Sequence, residues 1–340
     1  MVEVETDAPP LAGKTIDLTL FAVTRAIDVL VRSAWKQYKF ASPTTDPSPP
    51  RTSAFSNLPD SLIFAISSGT IMYSWFYHPS RLPSTYNHWI STAAAVDPRL
   101  ITALRHAHAG TWLYGYDTGE AHLLQSMCAD YSWPPAWGDP ALTVPIPCEM
   151  VHMGTGPSCE KHALLRFIGA FKFALLTYLP LNLLMKSRSP SLKALRKALG
   201  SAARSSAFLG AFISAFYYSV CLARTRIGPV LLSKHLRLHK SATTTNDIHQ
   251  KLDSGLCVAA GCVTCGASIL LEAPKRRQEI AFFVAPRALA TLFPRHYPRA
   301  KLWREQVAFA LSCAVVLAVA GEDPAQVRGV LGGVLGRVLK

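Results

Sequence analysis

The chain has 340 residues, of which 50% are hydrophobic and only 16% are charged. Soluble domains carry about a quarter charged residues, so this composition excludes an ordinary soluble domain and predicts a membrane protein. The formal net charge is +14, but the basic residues form short clusters between apolar runs, which favours the anionic lipids of a bilayer over nucleic acid as the partner.

The N-terminal sequence MVEVETDAPPLAGKTIDLTL is acidic and has no basic stretch followed by an apolar one. A secretory signal peptide is therefore not predicted. The apolar run 16–31 is short for a membrane span and contains Arg25, whose charge at mid-membrane costs at least about 2.5 kcal/mol. We expect Arg25 to face the bundle interior or the interface, and an ion pair with Asp28 is one explanation for it. Segment 41–59 is rich in proline, serine and threonine and is predicted to be a flexible linker.

Five apolar runs approach the roughly 20 residues that cross about 30 Å of hydrocarbon. They are 61–77, 163–184, 207–223, 255–271 and 305–320. A shorter run, 280–293, contains an arginine. The sequence thus predicts an all-α fold, a multi-spanning transmembrane helical bundle. Basic loops at 186–204, 223–240, 274–277 and 294–304 would lie on both membrane faces, so charge does not fix the orientation. Charges inside apolar runs are functional candidates by default, namely Arg25, Arg166, Lys172 and Arg287.

A longer polar region, 91–147, contains YSWPPAWGDP, which suits an interfacial loop. It also contains HAHAGTWLYGYDTGEAH (106–122), with three histidines and two acids. We expect a solvated surface there, with a metal or acid–base site as the alternative. Three parts are predicted: 1–90, a partial repeat unit with two helices; 91–147, a polar and interfacial connecting region; and 148–340, a Cys/His segment followed by a full helical membrane unit.

An internal repeat supports this division. FAVTRAIDVL (21–30) matches FVAPRALATL (283–292), and DSLIFAIS (60–67) matches EQVAFALS (305–312) in the same order. Two ordered matches indicate a duplication. Segment 160–335 would then be a full unit, and 15–90 the last two helices of another. Either the gene lost the N-terminal half of that copy, or this sequence starts too late to include it.

The stretch CEMVHMGTGPSCEKH (148–162) concentrates two cysteines and two histidines, Cys148, His152, Cys159 and His162. They can supply the four nitrogen and sulfur ligands of a structural zinc. A disulfide between Cys148 and Cys159 is a second interpretation. In a third, the cysteines only pack at the membrane surface, and their sulfurs lie apart.

Small residues follow helical spacing in two apolar runs. Gly210 with Ser214, and Cys257 with Gly261 and Cys265, form stripes that let helix backbones approach closely in lipid. We expect 207–223 and 255–271 to pack against each other through Gly210, Ser214 and Gly261.

CEMVHMGTGPSC, followed by a helix ending in TYLPLNLL (177–184), resembles the N-terminal Cys-rich region of the transmembrane protein 135 family. AFLGAFISAFYYSVCLAR (207–224) and DSGLCVAAGCVTCGASILLEAPKRR (253–277) are similar to helices of the mitochondrial inner-membrane translocase channel superfamily. The resemblance implies a mitochondrial or peroxisomal membrane protein linked to organelle dynamics and lipid metabolism, with no established enzymatic reaction. No cofactor is expected apart from the zinc alternative, and a homo-oligomer is compatible with the sequence.

The chain contains no G-x-S-x-G, P-loop, G-x-G-x-x-G or H-E-x-x-H motif. Two alternatives to the family role stay open. One is a pore or groove component of a membrane transport or translocation system, and the other is a membrane enzyme that uses the 148–162 site.

Overall fold

The structure is a computed structural model that describes residues 11–41, 58–186, 191–238, 244–323 and 326–338. The described chain is mostly helical, with one short pair of strands, so the prediction of an all-α fold is confirmed. The predicted linker at 41–59 falls almost wholly outside the described residues.

Helices α1 to α14 follow one another along the chain. Their bounds are α1 Ile16–Ala41, α2 Leu58–Tyr77, α3 Ser84–Ala94, α4 Pro98–Ala109, α5 Ala121–Asp130, α6 Cys148–Val151, α7 Cys159–Lys186, α8 Leu192–Thr225, α9 Ile227–Leu238, α10 Thr245–Lys251, α11 Cys257–Cys265, α12 Pro274–Ala290, α13 Leu302–Glu322 and α14 Gly329–Val338. A π-helical turn, Leu252–Leu256, joins α10 to α11, and a 3-10 turn, Gly266–Leu271, follows α11. Strands β1 (Leu11–Ala12) and β2 (Tyr297–Pro298) pair antiparallel, with Leu11 opposite Pro298.

Within the described residues, four helical segments are long and apolar enough to cross a membrane. They are Cys159–Leu184, Leu192–Thr225, Thr245–Leu271 and Arg299–Glu322, and they contain four of the five predicted runs. The fifth run forms α2, which is 20 residues long. Asp60 and several serines interrupt the apolar sequence of α2, so this helix falls outside that group.

These helices present apolar side chains outward as well as inward. Leu176 of α7 is 79% exposed, Val263 of α11 is 76% exposed and Leu311 of α13 is 63% exposed. Soluble proteins rarely expose large contiguous apolar surfaces, whereas hydrocarbon covers them at no cost. The four helices are therefore compatible with an integral membrane protein.

Contacts divide the chain into two compact units. One contains Met1–Ile71 and Ala273–Lys340, and the other contains Met72–Glu272. The predicted boundaries after residues 90 and 147 follow composition rather than contacts and stay predictions.

In the unit Met72–Glu272, α8 packs against α7 through small residues. A Cβ atom at Gly210 would lie 3.1 Å from the Phe167 ring, and the Ser214 hydroxyl donates to the Ala163 carbonyl at 2.9 Å. Moving from Phe167 back to Ala163 along α7 corresponds to moving from Gly210 forward to Ser214 along α8. The two helices run antiparallel.

Helix α11 packs on another side of α8. The two run antiparallel, because Asp253 before α11 contacts Arg224 near the end of α8, whereas Glu272 after α11 accepts from the hydroxyl of the earlier Ser205 at 3.0 Å. A Cβ atom at Gly261 would lie 2.8 Å from the Phe216 ring, and the Thr264 hydroxyl bonds the Ser219 hydroxyl at 2.7 Å. The expected contact between these helices is present through Gly261. Gly210 and Ser214 are placed against α7 instead, because their face of α8 lies toward α7.

The polar region 91–147 folds around its own apolar core. Buried residues there are Leu100, Ala103, Ala107, Trp112, Tyr114, Leu124, Met127, Cys128 and Ile146, joined by Met150 of α6. Helix α4 is capped at its start by Asp97, whose side chain accepts from the Arg99 amide at 2.9 Å. At its end, Gly110 adopts the left-handed conformation that favours glycine. Apolar residues spaced along α4 and α5 thus make this connecting region a folded element.

In the other unit, the two matched sequence pairs lie on helices. FAVTRAIDVL lies on α1, and FVAPRALATL lies on α12 except for its last two residues; DSLIFAIS lies on α2 and EQVAFALS on α13. The equivalent arginines differ in their surroundings. Arg25 is buried, lies 4.3 Å from the Phe282 ring centroid and donates to the Arg328 carbonyl, whereas Arg287 lies over the Phe283 ring.

The suggested ion pair between Arg25 and Asp28 is replaced by a different one. Arg328 binds Asp28 through two nitrogens and also reaches Asp60, at 3.1 Å. Arg328 therefore bridges carboxylates from α1 and α2, and the Arg25 guanidinium donates to the Arg328 carbonyl and lies near the Phe21 and Phe282 rings.

Candidate functional site

A short turn between α6 and α7 brings the Cys/His stretch together. Helix α6 ends at Val151, and the chain then passes through Gly154 and Gly156 with φ of 78° and 97°. Left-handed backbone is accessible to glycine without steric cost. This turn folds His152 back toward Cys159, the first residue of α7.

The ligand atoms of Cys148, His152 and Cys159 all lie within 4.8 Å of one another. The sulfurs of Cys148 and Cys159 therefore lie close together rather than apart, and packing of the cysteines without chemistry stays a prediction. The eight cysteines of the chain are free thiols in this structure.

A fourth side chain, which sequence reasoning missed, lies beside this group. Cys221 lies near the end of α8, and its Sγ atom is 3.3 Å from His152 Nε2. It also interacts with the Cys159 thiol. We call Cys148, His152, Cys159 and Cys221 the thiol–imidazole cluster. His152 is fully buried, Cys159 and Cys221 are buried, and Cys148 is partly exposed.

The ring of His152 is oriented by a backbone carbonyl. Its Nδ1 lies 2.7 Å from the Gly156 oxygen, so Nδ1 carries the hydrogen and the Nε2 lone pair points at the sulfur of Cys221. Burial lowers the pKa of His152 and raises the pKa of the Cys148 thiol. The imidazole is therefore neutral at physiological pH, the form that binds metals.

His162, the fourth residue of the predicted set, is bound elsewhere. Its Nδ1 lies 2.9 Å from the Thr155 hydroxyl, and its Nε2 lies 3.4 Å from Arg166 Nε. Its ring stacks on the ring of His152 with centroids 4.5 Å apart. Both nitrogens of His162 thus have partners outside the cluster, and His162 supports the ring of His152 instead.

A buried ionic network lies one turn beyond Cys221 on α8. Arg224 Nε and a terminal nitrogen contact the two Asp253 carboxylate oxygens at 2.5 and 2.8 Å. The Tyr114 hydroxyl donates to the same carboxylate at 2.5 Å and accepts from the Ile146 amide. Burial beside this carboxylate raises the pKa of Tyr114, which keeps its hydroxyl protonated as a donor.

The backbone around Asp253 departs from the α-helix to make this contact. Asp253 lies in the π-helical turn before α11, and Gly255 in the same turn has φ of 148°. π-Helical turns inside helices occur frequently at functional sites. The turn directs the carboxylate of Asp253 toward Arg224, and the cysteine at the start of α11, Cys257, lies 3.8 Å from the same carboxylate.

The remaining predicted site residues are dispersed. The thiol of Cys265 points to the Cys262 carbonyl, so the CxxC pair contributes no ligand to the cluster. Arg166 of α7 donates to the Ala95 carbonyl at 3.0 Å and lies over the Tyr217 ring, while Lys172 is exposed.

The histidines of 106–122 also have separate partners. His106 contacts Glu120 at 3.0 Å, His108 contacts the Ser254 carbonyl at 2.5 Å and His122 contacts the Gly119 carbonyl. They converge on no common point, which favours the surface interpretation over an acid–base site.

Comparison of the chain with protein families, with curated proteins and with solved structures finds no match.

Proposed function

We propose that this chain is an integral organelle membrane protein of the transmembrane protein 135 type, serving organelle dynamics and lipid handling in mitochondrial or peroxisomal membranes. The observation that carries the membrane part is the outward apolar surface of the four spanning segments, including Leu176 and Leu311. The organelle and the lipid role rest on the resemblance of 148–184 and 207–277 to the families named above.

Basic residues at the start of α8 support a lipid partner. Lys193, Arg196 and Lys197 are exposed within two turns of the helix N-terminus. Lys and Arg side chains at such a position bind anionic headgroups, each contributing about 1 kcal/mol near a charged surface.

Fractionation and imaging of one tagged full-length chain test this proposal. We expect the chain to stay in the pellet after alkaline carbonate extraction and to coincide with a mitochondrial or a peroxisomal marker. Recovery in the supernatant would overturn the membrane assignment. Retention in the pellet with signal only in the endoplasmic reticulum or plasma membrane would overturn the organelle assignment alone.

A groove in the unit that contains α1, α12 and α14 favours a second candidate, a transport component for amphiphiles. The groove has a volume of about 560 Å³ and is lined by Phe21, Arg25, Glu279, Ile280, Phe283, Leu331 and Val334. Apolar walls with a few charged groups are typical of sites that bind acyl chains with polar heads.

Filling the groove distinguishes this second candidate from a scaffold role. Ile280→Trp should reduce transfer of a fluorescent phospholipid between liposomes that contain the purified chain, and Val263→Trp, on the exposed face of α11, should leave transfer unchanged. Equal rates with and without the protein would refute the transport role.

A further inference from the structure

Three thiols and one imidazole lie together at the ends of three helices. Cys148 opens α6, Cys159 opens α7 and Cys221 lies in the last turns of α8. His152 and Cys221 are 69 residues apart in the sequence. Buried cysteine and histidine side chains either pack as small apolar residues or bind a metal. A metal site requires their donor atoms to be directed toward one point.

We propose that the thiol–imidazole cluster binds one Zn²⁺ and thereby joins the start of α7 to the end of α8. Thiolate and imidazole donors suit zinc, and a Cys₃His set is one of its common structural coordination shells. The ligand set differs from the one expected from sequence, since Cys221 takes the place of His162.

The known distances place the four side chains around one region, within a limit that is wider than the separations in a filled zinc shell. Zn–S and Zn–N bonds of about 2.3 and 2.0–2.1 Å place tetrahedral ligand atoms about 3.5 to 3.8 Å apart. His152 Nε2 and Cys221 Sγ are already 3.3 Å apart, and the other ligand atoms of the turn lie within 4.8 Å. Zinc binding requires the thiols of Cys148, Cys159 and Cys221 to move closer to one another by side-chain rotation.

The surroundings of His152 match those of a metal-bound histidine. Zinc-binding histidines usually donate their second N–H to a carboxylate or a backbone carbonyl, which fixes the ring and the tautomer. His152 has this arrangement through the Gly156 carbonyl at 2.7 Å. The stacked ring of His162 holds the imidazole from its other side, so His162 is a positioning residue and Cys221 is the ligand.

Four protein ligands leave no open coordination position. Catalytic zinc sites keep one position for water or substrate, so a filled Cys₃His shell indicates a structural role. The proposal therefore disfavours a zinc-dependent membrane enzyme at the 148–162 site. It does not depend on which organelle the protein occupies.

Metal analysis of the purified full-length chain tests the proposal. The unmodified chain in detergent should carry about one zinc per chain, and Cys221→Ser should lose it. Cys262→Ser is the matched control, because Cys262 is a buried cysteine whose neighbour in the structure is Cys265 rather than the cluster; this variant should retain the zinc. His162→Ala should retain zinc at reduced affinity, about 10- to 100-fold weaker by analogy with other outer-shell groups.

Cobalt substitution separates a lost ligand from a misfolded variant. Co²⁺ in the unmodified chain should give tetrahedral visible bands and a thiolate charge-transfer band, and Cys221→Ser should weaken that band while eluting as the same folded species. The proposal is overturned by absence of zinc in the unmodified chain, by iron in its place, by a Cys148–Cys159 disulfide after alkylation, or by unchanged zinc in Cys221→Ser.

Discussion

Replacing Arg224 by methionine tests directly whether the buried Arg224–Asp253 ion pair stabilises the packing of α8 against the segment that begins α11. The Arg224 and Asp253 side chains are 4% and 1% exposed, and the guanidinium makes two hydrogen bonds to the carboxylate. Without them, Asp253 keeps only the Tyr114 hydroxyl as a strong donor. A buried carboxylate that loses its cation costs about 3–5 kcal/mol, and we expect Arg224→Met to lower the free energy of unfolding by that amount.

Two further variants divide this cost into parts. Tyr114→Phe removes one hydrogen bond to a charged group, about 1.5–3 kcal/mol. Arg224→Met combined with Asp253→Leu removes both charges and should recover most of the loss, since apolar pairs often replace buried ion pairs without penalty. Arg226→Met is the matched control, because Arg226 pairs with Glu160 at an exposed position and should change stability little.

Unfolding in detergent micelles, followed by tryptophan fluorescence, measures these differences. Trp112 lies in the same buried core as Tyr114 and reports its disruption. The reasoning is refuted if Arg224→Met loses less than about 1 kcal/mol, or if the double variant is as unstable as the single one.

Two other predictions concern helix packing and capping. Gly261→Leu should lower the folded yield and cost about 1–3 kcal/mol through overpacking, because its side chain meets the Phe216 ring; Gly169→Leu, where the structure leaves open space, should be tolerated, and equal yields would contradict the packing argument. Asp97→Ala should cost about 1 kcal/mol as a lost helix cap. The hydrogen bond from Arg99 lowers the pKa of Asp97 in the folded protein. The stabilisation is therefore fully present above the pKa of Asp in the unfolded chain, about 3.9, and is lost as pH falls through the lower folded pKa. A stability difference between the unmodified protein and Asp97→Ala that grows on acidification would refute this reasoning.

The apolar runs predicted well the helices that are long and apolar enough to cross a membrane, because hydropathy alone decides whether a segment is suited to hydrocarbon. The residues at which these helices begin and end were harder to predict from the sequence. Helix α8 begins at Leu192, capped by the Ser191 side chain at 3.1 Å from the Ala194 amide, whereas the apolar run begins at 207. The basic stretch before that run was expected to be a loop, but its alanines, leucines, lysines and arginines are all good helix formers, and the helix extends through them.

The site was predictable only where its residues are neighbours in sequence. Cys148, His152 and Cys159 lie in one short turn, and the spacing identified them together. Cys221 lies on the next helix and resembles the other cysteines of the apolar runs, so no local pattern distinguishes it. The position of Asp253 at the beginning of an apolar run, with Arg224 at the end of another, was the available signal for the ionic network.

The antiparallel arrangement of α7 and α8 places all the thiols of the cluster at one end of this helix pair. Since α7 begins and α8 ends at the cluster, Lys186 and Leu192 lie at the opposite end of the helix pair. If the pair crosses a membrane as proposed, its insertion polarity decides whether the thiols of Cys148, Cys159 and Cys221 lie toward a compartment that keeps them reduced or toward an oxidising one that converts them into disulfides.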